Sequence, residues 1–166
     1  MLVHKVDMSD YSAVLSLFKA VKKELAKQGN DQWKWIYPNR FTHKKDIAEG
    51  SMYGVKEGNG FAGVITWDDK QHEKYANLAW KDSSGKVSCI HRLAVHPEQQ
   101  GRGLGKKLLL YAEGQAKSAG CTSVRIEVYS ANAGALALYE KYGYERVGEV
   151  SYPMRKHAYI AMEKRL

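Results

Sequence analysis

The stretch from Gln99 to Ala116, QQGRGLGKKLLLYAEGQA, sets three glycines in five residues between a strand-like segment, IHRLAVHP, and a segment with helical apolar periodicity. Glycines at such a strand-to-helix turn let the backbone adopt φ > 0 and let a ligand come close to the chain. The first N–H groups of a helix have no intrahelical acceptor, and the macrodipole adds positive potential at the same place. The combination is a phosphate site. Two well-known phosphate patterns fail on spacing. A dinucleotide fingerprint starting at Gly101 needs glycine or alanine where Lys106 stands, and a P-loop ending at Gly105-Lys106 needs glycine at Gln100 and a hydroxyl at Lys107. A helix-entry turn with no ligand uses the same residues, so the cluster alone leaves that reading open.

Around the glycines the chain alternates strand-like and helix-like segments without repeats or a linker, which predicts one α/β domain over residues 1–166. A first strand is expected at Leu2 to Val6. Ser9 or Asp10 can cap a helix reaching Gln28, with Val14, Leu17, Phe18, Val21 and Leu25 as its apolar stripe and Gly29-Asn30 as its stop. An aromatic loop, QWKWIYPNRF, precedes a short helix expected at Lys44 to Glu49. Strands at Met52 to Lys56 and Phe61 to Asp68 flank the turn EGNG and read as a hairpin. Tyr75 to Trp80 can extend the sheet, and Val87 to Val95 is the clearest central strand. A helix to Ser118, a strand from Ser123 to Tyr129, a helix from Asn132 to Tyr142 and strands near Tyr144 to Val150 and Ala158 to Lys164 complete the order.

A pattern that fits the loop is Gln/Arg-x-x-Gly-x-Gly/Ala, filled by Gln100-Gly101-Arg102-Gly103-Leu104-Gly105. Downstream, VYSANAGALALYEKYGYERVG supplies Asn132, Ala135, Leu138, Tyr139 and Gly143 in the spacing of a second motif, with Tyr144 where phenylalanine is usual. The two together resemble the GNAT superfamily of N-acetyltransferases over Val87 to Val150; the flanks agree in the order of elements. The resemblance implies a mixed, largely antiparallel central sheet flanked by helices and splayed between the fourth and fifth strands. It implies acetyl-CoA as co-substrate, entering that split. Pantetheine would pair with the backbone of Leu93, Ala94 and Val95, and the pyrophosphate would sit on N–H groups from Gln100, Gly101, Arg102, Gly103, Leu104, Gly105 and Lys106. Asn132 and Tyr139 would face the cofactor. No metal enters this chemistry.

The implied reaction is transfer of an acetyl group from a thioester to an amine by direct attack in a ternary complex. A primary amine with a pKa of about 10.4 is only about 0.04% neutral at pH 7, so a base or a desolvating pocket has to deliver the free amine. Glu127 and His91, on neighbouring strands, are the titratable groups placed for this; a water relay without a single base satisfies the same need, and Glu127 can equally serve in an ion pair with Arg92. The resemblance assigns Tyr139 the leaving thiolate, since a phenol donates at pH 7. Trp33, Trp35 and Tyr37 lie in the loop where the family builds acceptor pockets, and aromatic rings there hold a cation or an apolar chain.

A formal charge of +8 favours anionic partners. Its lysines and arginines are spread along the chain with no nucleic-acid motif, so a basic nucleic-acid-binding module is the lesser reading, beside a CoA-binding domain without catalysis. A polycationic acceptor would need an acidic patch from Asp46, Glu49, Asp68, Asp69 or Glu73. The acceptor is expected to be a small-molecule or peptide amine and the protein a monomer or homodimer. No run is long and apolar enough for a membrane span, and the first residues lack a secretion signal, so a cytoplasmic protein is expected. Cys89 and Cys121 read as buried free thiols.

Overall fold

The computed structural model describes residues 1–34 and 36–166. Their strands are β1 (His4–Lys5), β2 (Met52–Glu57), β3 (Gly60–Asp68), β4 (Val87–Val95), β5 (Ser123–Tyr129), β6 (Glu145–Val150) and β7 (Tyr159–Arg165). The helices are α1 (Tyr11–Lys27), α2 (Arg40–Ala48), α3 (Leu104–Ser118) and α4 (Ala133–Lys141). The strands hydrogen-bond in the order β1-β2-β3-β4-β5-β7-β6. β4 and β5 run parallel, whereas β1 with β2, β2 with β3, β5 with β7 and β6 with β7 run antiparallel. The parallel ladder starts at Val87 opposite Ser123 and ends at Ile90 opposite Ile126, although both strands run on. This is the mixed, largely antiparallel sheet expected, with its split between the fourth and fifth strands.

Two compact units make up the described residues: Met1–Trp67 with Arg92–Tyr111, and Asp68–His91 with Ala112–Leu166. In the first, Val14, Leu17, Phe18 and Val21 recur at i, i+3, i+4 and i+7 along α1 and are all buried. They pack with Val6, Ile47, Met52, Phe61, Val64 and Ala94. Burying side chains of this size contributes about 1.5–3 kcal/mol each, which outweighs the weak intrinsic preference of so short a helix. Gly63 lets β3 lie close to β4, since a Cβ there would stand 2.9 Å from the Ala94 carbonyl oxygen. In the second unit the apolar residues Val124, Ile126, Val128, Ile160 and Met162 of β5 and β7 are buried.

Local hydrogen bonding moves several boundaries from their sequence-based positions. Asp10 stands at the N-cap position of α1, one of the two expected, but its side chain makes no cap bond there; Asp7 accepts the Ser9 N–H at 2.8 Å and caps a 3-10 turn, Met8–Asp10, that leads into α1. Helix α2 starts at Arg40 rather than Lys44, because the Asn39 side-chain oxygen accepts the N–H groups of Phe41 and Thr42 at 3.0 and 3.1 Å. The expected strand at Tyr75 to Trp80 is instead a 3-10 turn, Glu73–Asn77, followed by a bend. The Trp80 indole N–H donates to the Tyr75 carbonyl at 2.8 Å, which folds the segment on itself. Strand β1 is shorter than Leu2 to Val6: its ladder residues are His4 and Lys5, and the Val6 N–H adds one bond to the Met52 carbonyl at 3.0 Å. Cys89 and Cys121 are buried free thiols, and burial pushes the Cys89 thiol up to about 12.

Candidate active site

The glycine loop belongs to the first unit. After β4 the chain makes a 3-10 turn, Pro97–Gln99, whose cap is the His96 side chain. Gly101 and Gly103 then take φ of 77° and 76°, in the left-handed region where a Cβ is penalised, and α3 begins at Leu104. The Gln100 N–H donates to the Pro97 carbonyl at 3.3 Å, and the Lys107 N–H makes a helical bond to Gly103 at 3.0 Å. Among the described residues, the N–H groups of Gly101, Arg102, Gly103, Leu104 and Gly105 have no backbone acceptor. Five consecutive unspent donors at the start of a fifteen-residue helix are an anion cradle in the physical sense. Space above Gly101 and Gly103 is open, with no atom within 4 Å of a Cβ placed on either. Arg102 lies beside the loop, bonded to Gln99 and, at 3.4 Å, to Glu57.

Further back on β4, Leu93 and Val95 are half-buried, Ala94 is buried, and all three lie past the last rung shared with β5. Arg92, between the two stretches, is committed to structure: its Nε and Nη2 donate to Asp46 at 3.0 and 2.7 Å, and its Nη1 donates to the Tyr37 hydroxyl at 2.7 Å. The ion pair considered between Arg92 and Glu127 is therefore not formed; Asp46 supplies the carboxylate, because α2 carries it to the buried guanidinium. Trp33 packs its ring 5.4 Å from Phe18, while Tyr37 is largely exposed. Trp35 lies outside the described residues.

In the second unit two carboxylates meet groups that sequence spacing did not pair with them. His91 Nε2 lies 2.6 Å from Asp68 Oδ1. Burial works to raise the Asp68 pKa, but the hydrogen bond and charge of His91 and the N–H of Lys70 bring it below the usual carboxylate value. Glu127 accepts the Tyr152 hydroxyl on both carboxylate oxygens, at 2.9 and 2.7 Å. Burial raises the Glu127 pKa, against the opposing effects of the Tyr152 bond and of His72, His91 and Lys74. His72 meets the Tyr152 ring edge-on at 5.4 Å, and Lys74 Nζ stands 4.8 Å from its centroid. The sequence gives no sign of Tyr152, and it offers Asp68 as an acidic-patch residue rather than as the partner of His91. Tyr152 sits in the turn between β6 and β7, where no periodicity marks a side chain's direction, and the contact of Asp68 depends on how an eighteen-residue excursion to β4 closes.

Arg125, on the same strand as Glu127, is spent on Glu163 at 3.0 Å and on the Asp82 carbonyl at 2.6 Å. Asn132 caps α4 by accepting the Ala135 N–H at 3.1 Å. Tyr139, two turns along α4, is 4% exposed, packs edge-on against Tyr144 at 5.4 Å, and has its phenol pKa raised well above the ordinary value by burial. Its hydroxyl therefore keeps its proton throughout the neutral range.

Comparison with known proteins bears on the family and the fold. The model of the acetyltransferase (GNAT) family matches residues 15–144. A mycothiol acetyltransferase of Kocuria rhizophila is 39% identical over 153 residues, covering 82% of this chain; the chain spans about half the length of that relative. A GNAT family acetyltransferase of Streptococcus agalactiae has a TM-score of 0.84 at 24% identity, covering 99% of this chain and 95% of its own. The PaiA N-acetyltransferase of Thermoplasma acidophilum, solved in complex with coenzyme A, has a TM-score of 0.75 at 17% identity, covering 99% and 98%. The loop, the sheet order and the family match converge on one assignment: this chain belongs to the GNAT acetyltransferase family.

Proposed function

We propose that the protein is an acetyl-CoA-dependent N-acetyltransferase acting on a primary amine. The observation that carries the reading is the run of five unspent N–H groups from Gly101 to Gly105 at the start of α3, which suits the CoA pyrophosphate. Leu93 to Val95 offer backbone to an extended pantetheine arm in the manner of strand addition. Bound acetyl-CoA supplies the activated acetyl group. The amine attacks its carbonyl carbon, nitrogen to carbon, and the thiolate leaves as the amine proton departs.

The chain's own residues then have two proton tasks. Glu127 takes a proton from the attacking amine; its raised pKa makes it a stronger base than an exposed carboxylate, and Tyr152 holds its two oxygens in place. His91 is the second group suited to this role. With Nε2 donating to Asp68, its neutral tautomer leaves Nδ1 as the acceptor. Tyr139 carries the proton for the departing thiolate. Asp46 and Asp68 are already engaged by Arg92 and His91, which argues against an acidic patch for a polyamine and favours a singly charged amine.

Thermal melts with acetyl-CoA, followed by a screen of amine acceptors for release of free CoA, test the reading. A melting temperature unmoved by millimolar acetyl-CoA would overturn it. Tight CoA binding without transfer to any amine would leave a binding domain only, and a salt-dependent affinity for DNA or RNA in place of CoA would favour the nucleic-acid module.

A further inference from the structure

A cavity of about 700 Å³ lies between α1, the start of α2 and the loop that joins them, wholly within the first unit. Its apolar wall includes Phe18, Ile36 and Phe41, the last 66% exposed. Lys19, Lys22 and Arg40 also line it, and among the described residues no acidic side chain does. Lys22 is held by the Pro38 carbonyl, and Arg40 stacks over Phe41 at 4.8 Å. Neither Lys19 nor Arg40 has a carboxylate partner among the described residues. Surface lysines and arginines in a chain of charge +8 are ordinary, but three cations around one concave apolar wall without a counter-charge are a focused positive field.

An independent feature of the same wall concerns His43. It lines the cavity, is 1% exposed and stacks 4.0 Å from Phe18, and its Nδ1 is buried with no hydrogen-bond partner. An unmet polar atom in a buried position costs free energy unless something completes it. Burial, with Arg92 and Lys22 nearby, keeps this ring neutral at pH 7. A neutral imidazole still has one N–H to offer, through whichever nitrogen carries it.

We infer that this cavity binds a small organic carboxylate with an apolar body, its charge on Lys19 and Arg40 and its hydrocarbon against Phe18, Ile36 and Phe41. A carboxylate suits the cations through charge-assisted hydrogen bonds. The apolar wall then separates such a ligand from inorganic anions, which have nothing to bury there. The inference stands independently of the acetyltransferase reading, since none of these residues belongs to the glycine loop or to the proposed proton carriers.

The test uses 3-phenylpropionate as the probe, titrated into the full chain with the His43 ring resonances as readout. Saturable shifts of His43 are expected. 3-Phenylpropan-1-ol, with the same body and no charge, and propionate, with the charge and almost no body, should each bind at least about tenfold more weakly. The double variant Lys19→Ala/Arg40→Ala, at two exposed positions, should keep its melting temperature and lose at least about tenfold in affinity. No saturation below roughly 10 mM would overturn the inference, as would equal binding of the alcohol, or full affinity in the folded double variant.

Discussion

The Tyr152 hydroxyl donates to Glu127 across both carboxylate oxygens, at 2.9 and 2.7 Å, so a residue from the turn between β6 and β7 fixes the orientation of the buried acid on β5. If Glu127 is the base, Glu127→Gln should reduce kcat by about 10²- to 10⁴-fold with little change in melting temperature. Tyr152→Phe removes the bond that lowers the Glu127 pKa while burial continues to raise it, so the acidic limb of the pH–rate profile should move to higher pH. A Tyr152→Phe profile superimposable on the wild type would exclude this coupling.

Acetyl-CoA should stabilise the protein through the loop at the start of α3, by about 2.7 kcal/mol at a hundred times its dissociation constant. Gly103→Val should abolish most of that gain. A β-branched side chain resists the φ of 76° at this position, so the unspent donors would be re-aimed even though the space beside Gly103 is open. Differential scanning calorimetry of both proteins, with and without acetyl-CoA, reads the effect. A folded Gly103→Val protein with the full ligand shift would remove the loop from the cofactor site.

Tyr139→Phe retains the ring and its edge-on contact with Tyr144 but deletes the hydroxyl. Turnover is expected to drop by about 10²-fold or more while acetyl-CoA affinity is retained. Wild-type kcat combined with a changed melting temperature would make Tyr139 a packing residue only.

Asp46 and Arg92 are a buried pair, 6% and 7% exposed. Asp46→Ala leaves the guanidinium without its carboxylate in a dry environment and should cost about 3–5 kcal/mol of stability by urea denaturation. A loss below about 1 kcal/mol would mean that the arginine finds another acceptor or water.

His43 has its pKa pushed down to about 4 by burial, then by Arg92 and Lys22. The unfolded chain takes up the proton near pH 6.5, so the contribution of neutral His43 is complete above that pH. It declines as pH falls from about 6.5 to 4, by up to about 3 kcal/mol, and is flat below. Melting curves of the wild type and His43→Phe across that window should differ in slope, with the variant less sensitive to acid. Parallel slopes would place the acid-sensitive group elsewhere.

Short-range order was legible in the sequence wherever a residue's neighbours in the chain decide its conformation. The apolar spacing of Val14, Leu17, Phe18 and Val21 alone dictates a helix with one buried face, and the short, largely apolar segment from Val87 to Val95 reads as a strand. Gly101 and Gly103 announced left-handed turns, because only glycine takes that conformation without penalty. Capping was less legible: Asp7 and Asn39 competed with equally suitable neighbours, and the choice rests on which side chain reaches the free N–H groups once the preceding residues are placed. The partners of the charged strand residues were decided by tertiary structure alone. Arg92 chose Asp46, Glu127 chose Tyr152 and His91 chose Asp68, across separations of 46, 25 and 23 residues. Burying a charge is costly unless a partner meets it, and which partner does so depends on how distant elements pack, a matter that local periodicity does not carry.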